Sequence, residues 1–157
     1  MKPRLSTVNA HTGFMSFGPY LNMTEGKDVI GNEFSRINDI YSIFRQELHP
    51  PHRVLATWAG QFVVSRKRLL DNTYKSYRNL LDIFEASEDH WIWNEGWWNS
   101  KPSDPTLGML RRTPLRYLAH PPGHALERSW PIIFDCSDAT IAETCGEGSG
   151  PTCQCRD

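Results

Sequence analysis

The pattern of apolar and polar positions changes at Phe34. The preceding residues, 1–33, are rich in glycine, asparagine, threonine and proline, and predict irregular chain with at most one short strand near Phe17–Leu21. After Phe34, apolar residues recur at helical spacing: Ile37, Ile40, Tyr41, Phe44 and Leu48. The prolines Pro50 and Pro51 end this pattern. The sequence therefore predicts an amphipathic helix between these two points.

The segment Val54–Val64 is apolar, with β-branched residues at its ends, and predicts one or two buried strands. Gly60 within it marks a bulge or a close approach of the backbone. Ser65 is placed to accept an unpaired N–H at the start of a short helix over 66–70. A longer helix is predicted over about 73–86, with one apolar face formed by Tyr74, Tyr77, Leu80, Leu81 and Phe84.

Residues 87–121 show little periodicity and contain a cluster of tryptophans: Trp91, Trp93, Trp97 and Trp98. A stretch this long without regular structure is often a functional loop or an insertion. Pro122 fits the first turn of a further helix, which Pro131 kinks or shortens. Its buried face is predicted to consist of Leu126, Trp130, Ile133 and Phe134. Ser137 or Asp138 caps a last short helix that ends near Thr144.

These elements predict a mixed α/β fold, in which three to four helices pack on a small sheet. We divide the chain into an irregular segment (1–33), a single α/β domain (34–145) with a long irregular tryptophan-rich insertion (87–121), and a flexible cysteine-containing tail (146–157). A length of 157 residues agrees with one domain. We expect four side chains to be buried together in its core: Phe62, Leu81, Trp130 and Phe134.

The charges are balanced, with 17 basic and 18 acidic residues. Clustered basic residues are needed to neutralise phosphates, so this balance argues against nucleic acid as the main partner. The short run Arg66-Lys67-Arg68 is interpreted as a solvated helix face. No apolar stretch approaches the ~20 residues of a membrane span, and the basic N-terminus is not followed by the apolar region of a signal peptide.

Cysteines are confined to the C-terminal end of the chain: Cys136, Cys145, Cys153 and Cys155. Four cysteines allow three disulfide pairings. Disulfides would favour the secretory pathway or an extracellular location, and the sequon Asn22-Met23-Thr24 agrees weakly with secretion as a surface acceptor. The alternatives are free thiols and a four-thiolate zinc site, although the C-x8-C and C-x-C spacings differ from the usual C-x2-C.

The stretch from His120 to Trp130 carries the candidate chemistry. In a helix that starts at Pro122, His124 and Glu127 share one face, beside the apolar stripe. A carboxylate at the border of an aromatic pocket can have a raised pKa and act as a base; the alternative is a structural ion pair with an arginine. Metal binding through His120, His124 and Glu127 is disfavoured because the prolines remove His120 from the helix, and we predict no metal site.

Three blocks of the sequence resemble the fungal family called domain of unknown function 3431. They are Gln61-Phe62-Val63-Val64-Ser65-Arg66, Tyr77-Arg78-Asn79-Leu80-Leu81, and Leu126-Glu127-Arg128-Ser129-Trp130-Pro131-Ile132-Ile133-Phe134. The resemblance covers roughly residues 50–135, and Gly60 stands where the family pattern "AQF-x-VSR" has alanine. Family members are usually longer, with an "H-G-H" segment in an N-terminal half that this chain lacks.

The layout of that family looks similar to nucleotide-sugar glycosyltransferases, which implies glycosyl transfer to an acceptor with carbohydrate or nucleotide sugar as the partner and no assigned cofactor. Under this interpretation Glu127 is the catalytic base, and the substrate-binding residues are Gln61, Ser65, Arg66, Trp97, Trp98, His124 and Trp130. The tryptophans provide sugar platforms because aromatic faces suit sugar C–H surfaces. The alternative is a non-catalytic carbohydrate- or protein-binding module, or a truncated inactive remnant.

A geometric expectation follows from the rule that open α/β sheets bind ligands at the C-terminal edge of their strands. Gly60 would let the strand bend, so that Gln61, Arg66 and Glu127 converge on one cleft. At least one tryptophan of the 91–98 segment would lie at its rim. Arg66 would either pair with Glu127 or meet an anionic group of the ligand.

Overall fold

The computed structural model describes residues 5–27, 37–58, 60–86, 121–145 and 152–157, with the side chains of 121–125 excepted. The fold is mixed α/β, as predicted. Its strands are β1 (Thr12–Ser16), β2 (Tyr20–Thr24), β3 (Arg53–Thr57), β4 (Phe62–Val64) and β5 (Cys155–Arg156). Its helices are α1 (Ile37–Arg45), α2 (Arg66–Asp71), α3 (Tyr74–Phe84), α4 (Pro121–Ile133) and α5 (Thr140–Cys145).

The strands form two small antiparallel sheets. One has the order β4-β1-β5 and the other pairs β2 with β3. Met15 lies opposite Val63 in the first sheet, and Asn22 lies opposite Leu55 in the second. The expectation of irregular chain in the N-terminal segment is therefore wrong for β1, whereas the single strand expected near Phe17–Leu21 overlaps the start of β2. Their side chains do not alternate between apolar and polar, and their partners are distant in sequence, so local patterning gave little sign of these strands.

Asn22 belongs to β2 and does not mark an open surface position as the sequon was expected to do. Its side chain is half-buried. In the orientation that satisfies both ends of the amide, the nitrogen donates to the Ala139 carbonyl over 2.9 Å and the oxygen accepts from Arg53 over 2.7 Å. These hydrogen bonds connect the β2–β3 sheet to the turn before α5.

The helices around 37–71 follow the predicted pattern with one difference. Ile37, Ile40 and Phe44 are buried on one face of α1, but this helix ends at Arg45 and leaves Leu48 exposed. Gln46 ends the helix in the left-handed region, with φ of 59°. The predicted cap of α2 is confirmed, because the Ser65 side chain accepts the N–H of Arg68 over 3.2 Å.

The predicted apolar face of α3 is confirmed for Tyr77 and Leu80, which pack against the core, and is wrong for Tyr74 and Leu81. Tyr74 and Leu81 were expected on the buried face, but they are 82% and 43% exposed. The inward face also carries buried Ser76 and partly buried Ile83, which were not expected there. Apolar residues cover about half of the circumference of this helix, and a small polar residue such as Ser76 is usually expected on the solvent side. The sequence pattern therefore does not show which part of the apolar surface is buried.

The core forms where α4 packs on β3 and α1. The ring centroids of Phe62 and Trp130 lie 4.8 Å apart, and those of Phe62 and Phe134 lie 5.3 Å apart. Phe14 adds a further ring, 5.6 Å from Phe62. Three of the four predicted core residues are therefore packed together, although Phe62 and Trp130 are only partly buried, and Leu81 lies outside.

The C-terminal cysteines form two disulfides, Cys136–Cys155 and Cys145–Cys153. All four are buried and none is free, which excludes the free-thiol and zinc alternatives. The expectation of a flexible tail is wrong for residues 152–157, since β5 pairs with β1. Asp138 caps α5, as predicted, by accepting the Thr140 N–H over 3.0 Å. The predicted insertion, apart from Pro121 at the start of α4, lies outside the described residues.

Candidate functional site

The connection between β3 and β4 lies on α4. At its start, the buried Thr57 hydroxyl donates to the carbonyl of Glu127 over 2.5 Å. Near its end, a Cβ added to Gly60 would lie 3.7 Å from Nε1 of Trp130, which is an ordinary van der Waals distance. The described surroundings of Gly60 would therefore admit a side chain, and the close backbone approach predicted there is not found. The hydrogen bond of Thr57 attaches the start of the loop to α4.

Trp58 is the aromatic residue of this loop, and it is partly exposed. Its N–H donates to the Pro19 carbonyl over 3.0 Å, while 44% of the residue remains exposed. The guanidinium carbon of Arg128 lies 4.7 Å from the centroid of the Trp58 ring, and Arg128 itself is only 4% exposed. A cation over an aromatic face is attracted by the ring quadrupole. The guanidinium of Arg128 therefore covers one face of the Trp58 ring.

Three of the predicted site residues lie in or beside this connection: Gln61 is its last residue, and Glu127 and Trp130 are on α4. The Gln61 carbonyl accepts the N–H of Phe17 over 2.8 Å, and its side chain is exposed. Glu127 is partly buried on α4, directly before Arg128. The Trp130 Nε1 is buried and has no hydrogen-bond partner among the described residues. The backbone of Gln61 is thus paired with Phe17 after β1, whereas Glu127 and Trp130 lie on α4.

Arg66 does not lie beside this connection. Gln61 precedes β4 and Arg66 follows it, so the two residues lie beyond opposite ends of this strand. Arg68, on the same short helix, donates to the carbonyls of Phe134 and Asp135, beyond the C-terminal end of α4. Both sheets are antiparallel, so the rule for open α/β sheets does not apply. We leave Arg66 out of the candidate site.

Ser65, another predicted substrate-binding residue, has a structural role. Besides capping α2, its hydroxyl forms a hydrogen bond to the carboxylate of Asp157. That bond, followed by the bonds from Arg68, holds the pKa of the Asp157 carboxyl below its usual range. The Ser65 side chain is therefore engaged at both its acceptor and its donor.

Arg68 was missed by sequence reasoning, which assigned it to a solvated face. Its Nε donates to Asp157 over 2.9 Å, and its other nitrogens donate to the carbonyls of Phe134 and Arg156, each over 2.8 Å. The side chain is 12% exposed. A basic run directly after a capping serine gives no sign of which member turns inward.

The cavity beside α1 is too small for a sugar. It has a volume of about 30 Å³, which is room for one or two water molecules. Its arginines are paired with carboxylates: Arg45 lies 3.1 Å from Asp135, and Arg53 contacts Glu143. The cavity therefore offers no free charge for a substrate.

Three of the predicted site residues lie wholly or partly outside the described part of the chain. Trp97 and Trp98 lie outside the described residues, as does the side chain of His124. In the described parts of the chain, no group of three or more His, Cys, Asp and Glu residues could hold a metal ion. Across the same residues, none of the helices combines the length and apolar character required to cross a membrane.

Trp58 and Arg128 were not singled out from the sequence. Trp58 directly follows the last residue of β3, and Arg128 directly follows Glu127. Their contact joins positions 70 residues apart, since 128 − 58 = 70. Comparison of the chain with protein-family models, with curated proteins and with solved structures gives no significant match.

Proposed function

We propose that this protein is a non-catalytic carbohydrate-binding module and that Trp58 is its binding platform. The observation that carries the proposal is the half-exposed indole ring of Trp58, held over the guanidinium of Arg128 at 4.7 Å. An indole face provides a large apolar area for the C–H surface of a sugar, and its N–H adds a polar contact.

The fixed position of this ring supports the proposal. The backbone N–H of Trp58 donates a hydrogen bond to the carbonyl of Pro19, and the hydroxyl of the preceding residue, Thr57, donates one to the carbonyl of Glu127. A binding residue that is already ordered in the free protein loses little conformational entropy when the ligand binds. We propose that Gln61, three residues after Trp58, and Glu127, next to Arg128 on α4, supply the polar groups that hydroxyls require.

The binding module can be tested with soluble β-glucan, xylan, mannan and chitin oligosaccharides. We expect at least one of them to retard the protein in affinity electrophoresis, and Trp58→Ala to weaken that binding at least tenfold. Tyr74→Ala is the matched control, because it removes a more exposed aromatic ring from another surface. Equal binding by wild type and Trp58→Ala, or no binding to any of these glycans, would contradict the proposal.

Glycosyl transfer is the second candidate: Gln61 is the last residue of the β3–β4 connection, and the carbonyl of Glu127 accepts from Thr57 at the start of that connection. In this alternative Glu127 is the base, and Glu127→Gln abolishes the release of UDP from a UDP-sugar in the presence of an acceptor glycan. Release of UDP by wild type that persists in Glu127→Gln would exclude this role. Binding of glycans without any UDP release would favour the binding module.

We also propose that the protein works in the secretory pathway or outside the cell. Two disulfides are typical of proteins from oxidising compartments. The proposed relationship to domain of unknown function 3431 rests on the three sequence blocks, two of which flank the Trp58 loop.

A further inference from the structure

The strand β4 lies at the edge of its sheet, next to β1. The Ser65 N–H donates to the Gly13 carbonyl over 2.7 Å, and the Gln61 carbonyl accepts from Phe17 over 2.8 Å. Backbone groups of a strand alternate in direction from one residue to the next. Gln61, Val63 and Ser65 therefore face β1.

By the same alternation, the N–H and C=O groups of Phe62 and Val64 point away from β1. No described residue pairs with them on that side. Unpaired groups along a sheet edge form a template for a further strand. The edge thus offers two donors and two acceptors in a row.

The side chains beside this edge are apolar. Phe62 and Val64 pack against the core and are both partly buried. The half-buried ring of Trp130 lies 4.8 Å from that of Phe62. A strand added to β4 would place an inward side chain next to these two rings, where an apolar residue would bury surface.

The end of the edge carries positive charge. Arg66 follows Ser65, is exposed, and has no acidic partner among the residues that the structure describes. Its neighbour Lys67 is already paired with Asp71 over 2.6 Å. An acidic group next to the end of the edge would therefore meet Arg66, whose guanidinium matches a carboxylate bidentately.

We propose that β4 binds an extended peptide by strand addition, with an apolar residue beside Phe62 and Trp130 and an acidic residue beside Arg66. Main-chain hydrogen bonds to Phe62 and Val64 provide the affinity, and the apolar and acidic side chains provide the specificity. The occupant is a segment of another protein. This interaction goes beyond carbohydrate binding and does not depend on it.

The probe is a capped peptide of alternating threonine and valine with a glutamate at each end; the comparison peptide has lysines in place of the glutamates. We expect the glutamate peptide to bind at least tenfold more tightly, measured by fluorescence anisotropy. It should also slow hydrogen exchange at the amides of Phe62 and Val64. The amide of Val63, already bonded to β1, should be protected before the peptide is added.

Arg66→Glu should reverse the preference between the two peptides. A glutamate in the first turn of α2 is favourable for the helix, so the variant is expected to fold. Lys75→Glu, on the exposed side of α3, is the matched control and should leave the preference unchanged. The proposal is overturned if both peptides bind equally, if protection appears away from β4, or if Phe62 and Val64 become protected with rising protein concentration alone. The last result would identify a second copy as the occupant.

Discussion

The guanidinium of Arg68 donates through Nε to Oδ1 of Asp157 over 2.9 Å, which joins the short helix α2 to the residue that follows β5. The backbone of Asp157 is fixed as well, because its N–H donates to the carbonyl of His11 over 3.1 Å. Hydrogen bonds from Arg68 therefore anchor the C-terminal residues Arg156 and Asp157 to helix α2. The disulfide Cys136–Cys155 attaches the same segment covalently to the turn after α4.

Replacing Arg68 with Met should lower the free energy of unfolding by about 3 kcal/mol. The change leaves Asp157 and several backbone carbonyls without their donor, and the loss of several charge-assisted hydrogen bonds of a partly buried arginine has a cost of this order. Urea unfolding provides the measurement, with the exposed Lys75→Met as control. A loss below about 0.5 kcal/mol, the usual range of surface substitutions, would show that the carbonyls find other partners.

The lowered pKa of Asp157 predicts a loss of stability in acid. A carboxyl whose pKa is lower in the folded state contributes stability above its unfolded pKa of about 3.9, and this contribution disappears as the pH falls through the folded pKa. Unfolding measured from pH 7 to pH 2 should show this loss in wild type and a flatter profile in Asp157→Asn. In Ser65→Ala, an NMR titration should report a higher pKa for Asp157, since the largest cause of the shift is removed. An unchanged pKa would contradict the contact with Ser65.

The two disulfides predict both a mass and a connectivity. Without reductant the intact protein should be about four hydrogens lighter than the reduced form. Peptide mapping should recover Cys136–Cys155 and Cys145–Cys153. Replacing Cys136 and Cys155 together with serine should cost about 3 kcal/mol of stability, because that bridge spans 19 positions. A fragment joining Cys153 to Cys155 would contradict the predicted pairing.

Trp130 and Leu81 provide a paired test of the core. Trp130→Ala removes an indole that packs against Phe62 and Phe134, and should cost about 3 kcal/mol. Leu81→Ala removes a side chain of a residue that is 43% exposed, and should cost less than about 1 kcal/mol. Thermal or urea unfolding of both variants is the measurement. A larger loss of stability for Leu81→Ala would show that Leu81 lies on the buried face of α3, as expected from the sequence.

Elements whose signals are local were predicted well. The helix period identified α1, β-branched residues identified β3 and β4, and a serine and an aspartate marked the starts of α2 and α5. In contrast, β1 is stabilised by pairing with β4 and β5, which lie far along the chain. Its own residues do not alternate between apolar and polar, so the local sequence does not identify it as a strand. The two faces of α3 are both partly apolar, so their phase depends on contacts with α1 that the sequence does not encode locally.

For the candidate site, the sequence identified Gln61, Glu127 and Trp130 but combined them with Ser65 and Arg66. Those two residues lie beyond the other end of β4. Their inclusion followed from the family resemblance, and the expectation that Arg66 shares a cleft with Gln61 and Glu127 followed from a rule for parallel sheets, whereas this sheet is antiparallel. Trp58 and Arg128 acquire their relationship only when β3 packs on α4, so neither residue is informative when considered alone.

The position of β5 also has a consequence for biosynthesis. Thr12 in β1 and Gln154, which share a hydrogen bond, are 142 positions apart. At roughly 5–20 residues per second, a ribosome needs about 7 to 28 seconds to make the chain between them. Throughout that interval one edge of β1 remains open in the nascent chain, where it is able to pair with strands of other molecules. We therefore expect the yield of native protein to depend on how quickly the oxidative folding machinery captures the last cysteines after they emerge.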